Sequence, residues 1–529
     1  MSAPEDYMSD EWTGTDSEIN SDDLTDICTN DGSDDGSDGG SEEVPEIDPE
    51  VFGPLANITA ESLIALASRI AKDVLHVSAE NATLVNRLSG SFNIVHIVQL
   101  ETLKLVIRVP ATGWGAGMTK TAEDALASQV ATMCFIRQQT GAPVPEVYSW
   151  DPTNDNEVGA PFICMSFLAG ETASRVWFKD SINAEEREEV RLNILTSLAN
   201  IMAKFSSMSF DKIGSIMQAE DGSIFLGPVL DWDEQDDGSV QVKAGRTYFS
   251  AVEYLACHMD TKEERTAWDR ADNKLTKTLL TLWPDLDSHS RFVLCPPDFD
   301  SQNILVDDKG DVTGIIDWDL CQTMPPHQGY ASYPGWITRD WDPLMYGWPA
   351  MDTEDSPDTL QRYRDHYNKE LGKALSWKGD WALTEHSHIT EAVWLAVLNR
   401  MNRRDILRKF VEVALDVDRK EALGIFYDIG DDYYDGEDWE ELKENLGLLF
   451  GSGSSTHHCS SPVCHTTART RCVKQEHLEV CRNCGDAWSL KHHSSCPYCR
   501  GKDEAEEARN ERERKAAEKK KKKKSKWNK

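Results

Sequence analysis

The chain has 529 residues, a formal net charge of −37 and 13 cysteines, and 40% of its residues are hydrophobic. At about 100–200 residues per domain, this length predicts two or three folded units. Residues 51–450 alone carry a charge of −28, so we expect that part of the chain to repel a nucleic-acid backbone. Nucleic acid is therefore an unexpected ligand, except at the basic C-terminal tail.

The N-terminal residues carry no recognisable targeting signal. The sequence MSAPEDYMSDEW has neither a basic nor an apolar signal region, and no run approaches the roughly 18 apolar residues of a membrane-spanning helix. We expect an intracellular protein, cytoplasmic or nuclear, whose cysteines are thiols or metal ligands. Residues 1–50 hold 18 acidic and no basic residues, and this composition predicts a disordered acidic segment.

From about residue 57 the pattern becomes globular and strand-rich. Thr59 suits the N-cap of a helix that begins ITAESLIALASRI. The elements that follow are predicted as strands over 92–101 and 103–110, a helix over 121–139 and a buried strand over 161–170. Together they predict a small N-lobe over 57–170.

Beyond residue 180 the apolar spacing is mostly helical, which predicts a helical C-lobe over 171–450. One long helix is predicted over 391–415. The sequence NILVDDKGDVTGIIDWD predicts two short strands joined by an Asp-Lys-Gly-Asp turn. A Gly/Ser-rich linker over 451–458 ends this part of the chain.

The stretch 295–320 carries a pattern typical of phosphotransfer. Asp298 and Asn303 are separated by four residues, and Asp317 follows a hydrophobic strand fourteen residues after Asn303. Such a site needs a carboxylate that accepts the proton of the substrate hydroxyl, and an amide oxygen and a second carboxylate that hold Mg²⁺ on the phosphates. On these residues the chain resembles the aminoglycoside phosphotransferase family, and its large fungal branch in particular, from about 80 to 420.

This resemblance implies an α+β, two-lobed protein-kinase-like fold that binds ATP and Mg²⁺ between its lobes. Asp298 matches the family's catalytic base, and Asn303 and Asp317 match its metal ligands. The other nucleotide-binding positions that the family implies are Ser89, Gly90, Ser91 and Asn93 in the phosphate-covering turn, Arg108 in place of a lysine, Gln129 in place of a helix glutamate, and Met165 and Phe167 in the segment that links the lobes.

Three positions depart from the family pattern. Pro296 replaces a histidine two residues before the base, Arg108 replaces the lysine, and Gln129 replaces the glutamate, although an Arg–Gln hydrogen bond could still position Arg108. The retained residues Asp298, Asn303 and Asp317 favour an active small-molecule kinase. The altered positions favour the alternative, a catalytically degenerate kinase-like scaffold.

The substrate is indicated only by charge. A core of −28 favours a cationic hydroxyl compound, such as an aminosugar or a choline-like amine. A run of aromatic residues either lines its pocket or belongs to the core: Tyr330, Tyr333, Trp336, Trp341, Tyr346 and Trp348.

A Cys/His module is predicted over 459–500. Eight soft ligands make two tetrahedral sites that select Zn²⁺: Cys459, Cys464, Cys472, His477, Cys481, Cys484, Cys496 and Cys499. Their order resembles a RING-type cross-brace, and two tandem ribbons are the alternative pairing. The expected role is binding of a protein partner, with ubiquitin-ligase activity as a narrower possibility. Residues 501–529 predict a charged helix and a poly-Lys tail suited to nuclear targeting or an acidic partner.

Overall fold

The structure, a computed structural model, describes residues 47–451 apart from 180, 236–237, 260–263, 284–290 and 352, and two short strands further on. Residues 1–46, all eight predicted zinc ligands and the tail over 501–529 lie outside the described residues. Within the described part, the predicted two-lobed α+β architecture is present, with a strand-rich N-lobe and a mostly helical C-lobe.

The N-lobe is built on a five-stranded antiparallel sheet in the order β1-β2-β3-β5-β4. Its strands are β1 Thr83–Ser89, β2 Asn93–Gln99, β3 Lys104–Pro110, β4 Val147–Asp151 and β5 Phe162–Ser166. Its helices are α1 Pro49–Phe52, α2 Ala60–Ile70 and α3 Lys120–Thr140. Helix α2 is followed by a π-helical turn over Ala71–Leu75.

Alternation along β3 gives the sheet two different faces. Leu105, Ile107 and Val109 point into an apolar core that they share with α2. Val106 and Arg108 therefore face the other side of the sheet, where Val106 packs with the core that includes α3. This period of two places a cation on the side of the sheet that faces the C-lobe.

The C-lobe is mostly helical. Its helices are α4 Ala173–Trp177, α5 Ala184–Lys204, α6 Ala251–His258, α7 Ala267–Leu282, α8 Pro357–Ala374, α9 Ser387–Leu398, α10 Arg400–Leu415, α11 Arg419–Gly430 and α12 Gly436–Leu449. Its short strands form a three-stranded sheet and three two-stranded pairs: β6 Glu171–Thr172 with β12 Ile304–Val306 and β13 Val312–Ile315, β7 Ser215–Gln218 with β8 Ile224–Gly227, β9 Leu230–Glu234 with β10 Val240–Ala244, and β11 Val293–Leu294 with β14 Thr323–Met324. A final hairpin joins β15 Leu478–Val480 to β16 Ala487–Ser489.

Several predicted elements differ from the observed ones. The helix expected over 391–415 is two helices, because Asn399 leaves the helical conformation and its side chain accepts hydrogen bonds from the backbone of Met401 and Asn402. The folded part also begins before residue 57: α1 is capped by Asp48, and Phe52 and Leu55 are buried in the N-lobe core. Strand β1 was not predicted, because its side chains are largely exposed and lack an apolar pattern.

The remaining N-lobe predictions are confirmed. Thr59 caps α2 by accepting a hydrogen bond from the backbone of Ser62 at 3.2 Å. Strands β2, β3 and β5 and helix α3 lie where the apolar patterns predict them. In the described part of the chain, no single helix is long and apolar enough to cross a membrane. Only two segments taken together meet that test, Pro49–Asn57 and Ala60–Leu75, and they are bent by 68° relative to each other.

A buried ion pair ties α4 and α5 to the segment before α8. Arg191 donates to Asp355 Oδ1 at 2.8 Å and to the Trp177 carbonyl at 2.8 Å. The indole of Trp177 donates to the other oxygen of Asp355, also at 2.8 Å. The hydroxyl of Tyr363 accepts a further bond from Arg191 at 3.2 Å. Because the charges of Arg191 and Asp355 are largely shielded from water, each needs the other to offset the free energy of its burial.

We expect Asp355→Ala to lower the free energy of unfolding by about 3–5 kcal/mol, since it leaves a buried guanidinium without its counter-ion. Urea denaturation of the full chain measures this loss. Lys120→Ala, which removes an exposed ion pair with Asp124, is the control and should change stability little. Equal stability of Asp355→Ala and the native protein would contradict a stabilising role for the pair.

Candidate active site

The loop that carries Asp298 lies between β11 and β12 and is held from both ends. The backbone N–H of Gly335 donates to the Phe299 carbonyl at 2.7 Å, and the N–H of Ile316 donates to the Asn303 carbonyl at 2.9 Å. Pro296, at the position of the family's histidine, is buried. The loop is thus fixed by backbone hydrogen bonds to neighbouring segments.

Asp298 and Asn303 are joined directly by hydrogen bonds. The Asn303 side-chain amide donates to Asp298 Oδ2 at 2.9 Å and to the Asp298 carbonyl at 3.1 Å. Gln302 donates to the same Oδ2 at 2.8 Å. No donor among the described residues binds Asp298 Oδ1 or Asn303 Oδ1. One oxygen of the carboxylate thus remains for a substrate hydroxyl, and the amide oxygen remains for a metal.

The surroundings of Asp298 make its carboxylate more basic than an ordinary aspartate. Although the residue is exposed, desolvation by the loop raises its pKa, and the charges of Asp300 and Asp317 act in the same direction. The hydrogen bonds from Gln302 and Asn303 oppose this shift by stabilising the charged form. A raised pKa suits a carboxylate that accepts a proton.

Asp317 is presented by an unusual backbone conformation at the end of β13. Its φ is +60°, in the left-handed region that non-glycine residues occupy at a cost of about 1–3 kcal/mol. The next residue, Trp318, is fully buried, stacks on Phe205 and donates from its indole to the Ile315 carbonyl at 3.0 Å. The buried tryptophan fixes the turn and so holds the Asp317 carboxylate outward.

Arg108 of β3 lies between two carboxylates of the C-lobe. Its Nη2 contacts Asp317 Oδ1 at 2.6 Å, and its Nη1 pairs with Asp319 Oδ1. Burial opposes the charge on Arg108, but the two carboxylates together raise its pKa, so it stays protonated. The Arg–Gln hydrogen bond considered from sequence is absent among the described contacts: Gln129 is buried on α3 and forms none with Arg108.

The predicted phosphate-covering turn connects β1 to β2. The N–H of Gly90 donates to the Asn93 carbonyl at 2.9 Å, and Ser91 is exposed beside it. A Cβ built on Gly90 would meet only that carbonyl, at 3.8 Å, so open space lies in front of the turn. Ser89, half-buried at the end of β1, completes it. The front of the turn is thus open to an approaching group, while the Gly90 N–H itself is engaged within the turn.

The turn is also held from the C-lobe. The side-chain amide of Asn93 donates to Asp319 Oδ2 at 2.7 Å. Phe92 stacks on Trp232 of the β9–β10 hairpin, with ring centroids 4.4 Å apart and planes 9° apart. Trp232 also packs against a small apolar cluster that includes Ala125 of α3, and Leu320 packs against the same cluster. The hairpin therefore connects the turn, α3 and the segment after Asp319.

The predicted adenine-binding segment, which contains Met165 and Phe167, lies at the end of β5 and just beyond it. Met165 is buried in the sheet opposite Val106, and Phe167, beyond the strand, is partly exposed under the Lys104 ammonium at 4.8 Å. A cavity of about 410 Å³ lies beside Phe167, but the carboxylates of the site do not line it. It is therefore separate from the phosphotransfer residues.

The residues present fit Mg²⁺ and the phosphates of ATP. Asn303 and Asp317 offer oxygen atoms, the ligands that Mg²⁺ prefers, and Arg108 with the glycine turn offers donors to phosphate. Among the described residues, no group of three or more His, Cys, Asp or Glu is arranged to hold a metal ion. A shared site on Asn303 and Asp317 would accordingly depend on phosphate oxygens as further ligands.

Three residues of the site were not predicted. No role is assigned to Asp319 from the sequence, although its position two residues after Asp317 indicates that it shares the site. Gln302 lies next to Asn303 and had no distinguishing pattern. Trp232 is distant in sequence, and only the tertiary structure brings it to Phe92.

Of the aromatic run, Tyr330, Tyr333, Trp336 and Trp341 are buried in the apolar cores. These four residues therefore form part of the core and do not line a substrate pocket. Tyr346 and Trp348 are partly exposed, and Tyr346 donates to the Asp355 carbonyl at 2.6 Å.

Comparison with protein families gives one match over most of the two lobes. The model of the phosphotransferase enzyme family, APH, matches residues 91–382, more than half of the chain. This span contains Arg108, Asp298, Asn303 and Asp317.

Curated relatives match shorter stretches. A subtelomeric hrmA-associated cluster protein of Aspergillus fumigatus is 33% identical over 147 residues, 28% of this chain and 25% of that protein. Altered inheritance of mitochondria protein 9, mitochondrial, of Clavispora lusitaniae is 24% identical over 176 residues, 33% of this chain and 28% of that protein. The chain thus spans about a quarter of the length of the curated relatives it matches.

A comparison with solved structures matches aminoglycoside phosphotransferase APH(4)-Ia at 13% identity over 75% of this chain and 100% of that chain, with a TM-score of 0.37. Spectinomycin phosphotransferase APH(9)-Ia, solved with ADP and spectinomycin, is 12% identical over 74% of this chain and 98% of that chain, with a TM-score of 0.32.

Proposed function

We propose, since the chain belongs to the phosphotransferase enzyme family, that it transfers a phosphoryl group from ATP to the hydroxyl of a small molecule. The observation that carries this proposal is the shared hydrogen bonding of Asp298 and Asn303, which leaves one oxygen of each free of protein donors. Asp317, whose charge acts on Asp298, is paired with Arg108 of the other lobe.

The chemistry follows from the roles that these side chains can take. Asp298 Oδ1 accepts a hydrogen bond from the substrate hydroxyl, orients it and takes its proton as the hydroxyl oxygen bonds to the γ-phosphorus of ATP; the bond from that phosphorus to the bridging oxygen breaks, and ADP leaves. Asn303 and Asp317 would hold Mg²⁺, which when bound neutralises charge on the phosphates. Arg108 and the backbone of the turn at Gly90 orient the phosphate chain. Positioning and charge neutralisation, rather than covalent catalysis, carry such a reaction.

For the substrate, we propose a cationic hydroxyl compound such as an aminosugar or a choline-like amine. The −28 charge of residues 51–450 would attract such a molecule, and screening by salt should weaken the attraction. Discrimination between cationic and neutral alcohols of similar size in a substrate panel tests this proposal.

The direct test combines nucleotide binding with transfer of labelled phosphate from ATP to a panel of hydroxylated amines and neutral alcohols. ATP with Mg²⁺ should raise the thermal unfolding midpoint of the full chain, because ligand bound to the native state stabilises it. Asp317→Ala should abolish the Mg²⁺-dependent part of this rise. Asp298→Asn should keep the rise and lose about 10²–10⁴-fold in kcat. Asp308→Asn, an exposed turn carboxylate, is the matched control.

The second candidate is a catalytically degenerate scaffold, and the ion pair between Arg108 and Asp317 favours it, because that pair engages one oxygen of the metal ligand. Under this alternative, millimolar ATP produces no Mg²⁺-dependent stabilisation of the native protein. That result would overturn the enzyme proposal and direct attention to partners of the C-terminal module.

The pH dependence of kcat gives a separate prediction. The reactive form of Asp298 is the carboxylate, so activity should fall as pH decreases through its raised pKa, at higher pH than for an ordinary aspartate. Gln302→Met removes a hydrogen bond that lowers this pKa, so the acid limb of the profile should move to higher pH. An acid limb that stays in place or moves to lower pH in Gln302→Met would contradict the role of Asp298 as base.

We also propose that residues 459–500 bind two Zn²⁺ ions and present a surface to a protein partner. Strands β15 and β16 pair antiparallel with Val480 opposite Ala487, and Cys481 and Cys484 stand between them in the sequence. Two paired strands flanking a Cys-x-x-Cys pair suit a zinc ribbon or a cross-brace, and an intracellular location, which we also propose, would keep the cysteines reduced and available as thiolate ligands. Transfer of ubiquitin is a narrower proposal for the same module.

Metal analysis of the full chain by mass spectrometry should find two zinc ions per molecule. The double variant Cys481→Ser with Cys484→Ser should lose at least one of them, because it removes two thiolate ligands. Cys257→Ser is the control, since Cys257 is an exposed free thiol of the C-lobe. Fewer than one zinc per native chain would contradict the two-site proposal.

A further inference from the structure

Asp319 joins two elements of the N-lobe that are expected to contact the phosphates. Its Oδ1 pairs with Arg108 Nη1 of β3, and its Oδ2 accepts a hydrogen bond at 2.7 Å from Asn93, which closes the phosphate-covering turn. The Asp319 side chain is 15% exposed and that of Arg108 is 9% exposed. This contact between the lobes is therefore shielded from water.

Asp317 and Asp319, the two aspartates around Arg108, differ in how many of their carboxylate oxygens are engaged by N-lobe donors. Both oxygens of Asp319 are engaged by N-lobe donors. Asp317 uses only Oδ1 in its pair with Arg108, and its side chain is 42% exposed. Asp317 can therefore turn one oxygen to a metal while Asp319 keeps Arg108 paired. The geometry therefore suits Asp317 to binding a metal and Asp319 to holding Arg108.

The anchor that the family pattern implies is missing from this chain. Gln129 of α3 carries no charge, is buried, and forms no hydrogen bond with Arg108 among the described contacts. A buried guanidinium without a counter-ion would be costly, and a neutral amide cannot supply that charge. The bidentate shape of arginine allows it to contact two carboxylates at once, which a lysine ammonium at the same point does less well.

We propose that Asp319, and not Gln129, is the positioning residue that holds Arg108 and the phosphate-covering turn ready for nucleotide. This inference rests on the proposed function, since it assigns the support of the same nucleotide site. The arginine at 108 and the glutamine at 129 are then parts of one rearrangement, in which the negative partner has moved from a helix of the N-lobe to the segment after Asp317. On this inference the substitutions at 108 and 129 rearrange the support of the nucleotide site and do not remove it.

Substitutions at Asp319 test the inference through binding as well as turnover. In the full chain, Asp319→Asn keeps the size of the side chain but removes its charge and should raise the Kd for ATP at least tenfold by calorimetry. Because Asp298 is untouched, the larger kinetic effect should fall on KM for ATP rather than on kcat. Asp319→Glu restores the charge and should recover part of the affinity. Asp308→Asn is again the matched carboxylate control.

Gln129→Met is the comparison variant. It removes the side-chain amide at the position where the family pattern places the residue that anchors Arg108. Its effect on the Kd for ATP should be smaller than that of Asp319→Asn. A larger effect at Gln129, or unchanged affinity in Asp319→Asn beside a native protein that binds ATP, would overturn the inference alone. Absence of ATP binding by the native protein would overturn the proposed function and the inference together. If Asp319→Asn fails to fold, Asp319→Glu and Gln129→Met still decide the matter.

Discussion

Arg108 is a buried cation of the N-lobe whose two counter-ions belong to the C-lobe. Removing its guanidinium from water costs several kcal/mol, and among the described residues Asp317 and Asp319 are the carboxylates that offset that cost. The position of the sheet relative to the loop after β13 is therefore set by charge as well as by apolar packing. Three other residues of the candidate site are connected to this contact: Asn93 is attached to it, Asp317 is part of it, and the charge of Asp317 acts on Asp298.

The surrounding packing keeps that contact in place. Trp318 lies in the core between the two aspartates in sequence, so its burial fixes the directions of both neighbours. The β9–β10 hairpin adds a second constraint, since Trp232 stacks on Phe92 in the turn that precedes Asn93. Aromatic pairs of this geometry contribute about 0.5–1.5 kcal/mol beyond their buried area. Apolar contacts thus support the polar arrangement from two sides.

The altered family positions have different consequences in the structure. Pro296 is buried in a loop whose shape depends on backbone hydrogen bonds from Gly335 and Ile316, so the loop keeps its form without the usual histidine. Gln129 is simply disconnected from Arg108. The loss at one position is matched by the use of Asp319 at another, which explains how the three retained residues, Asp298, Asn303 and Asp317, coexist with three altered supports.

Local patterns in the sequence by themselves predicted a strand-rich part followed by a helical part, and the Asp298–Asn303 spacing could be read directly because it spans a single loop. The two-lobed kinase-like fold followed from the resemblance of that motif to the phosphotransferase family. The break at Asn399 could not be read from the chain, because the apolar pattern continues across it and only the capping geometry ends the helix. Only the tertiary structure decided which carboxylate neutralises Arg108. Asp319 lies 211 residues away in the chain, and such a pairing depends on how the lobes pack, which no local pattern encodes.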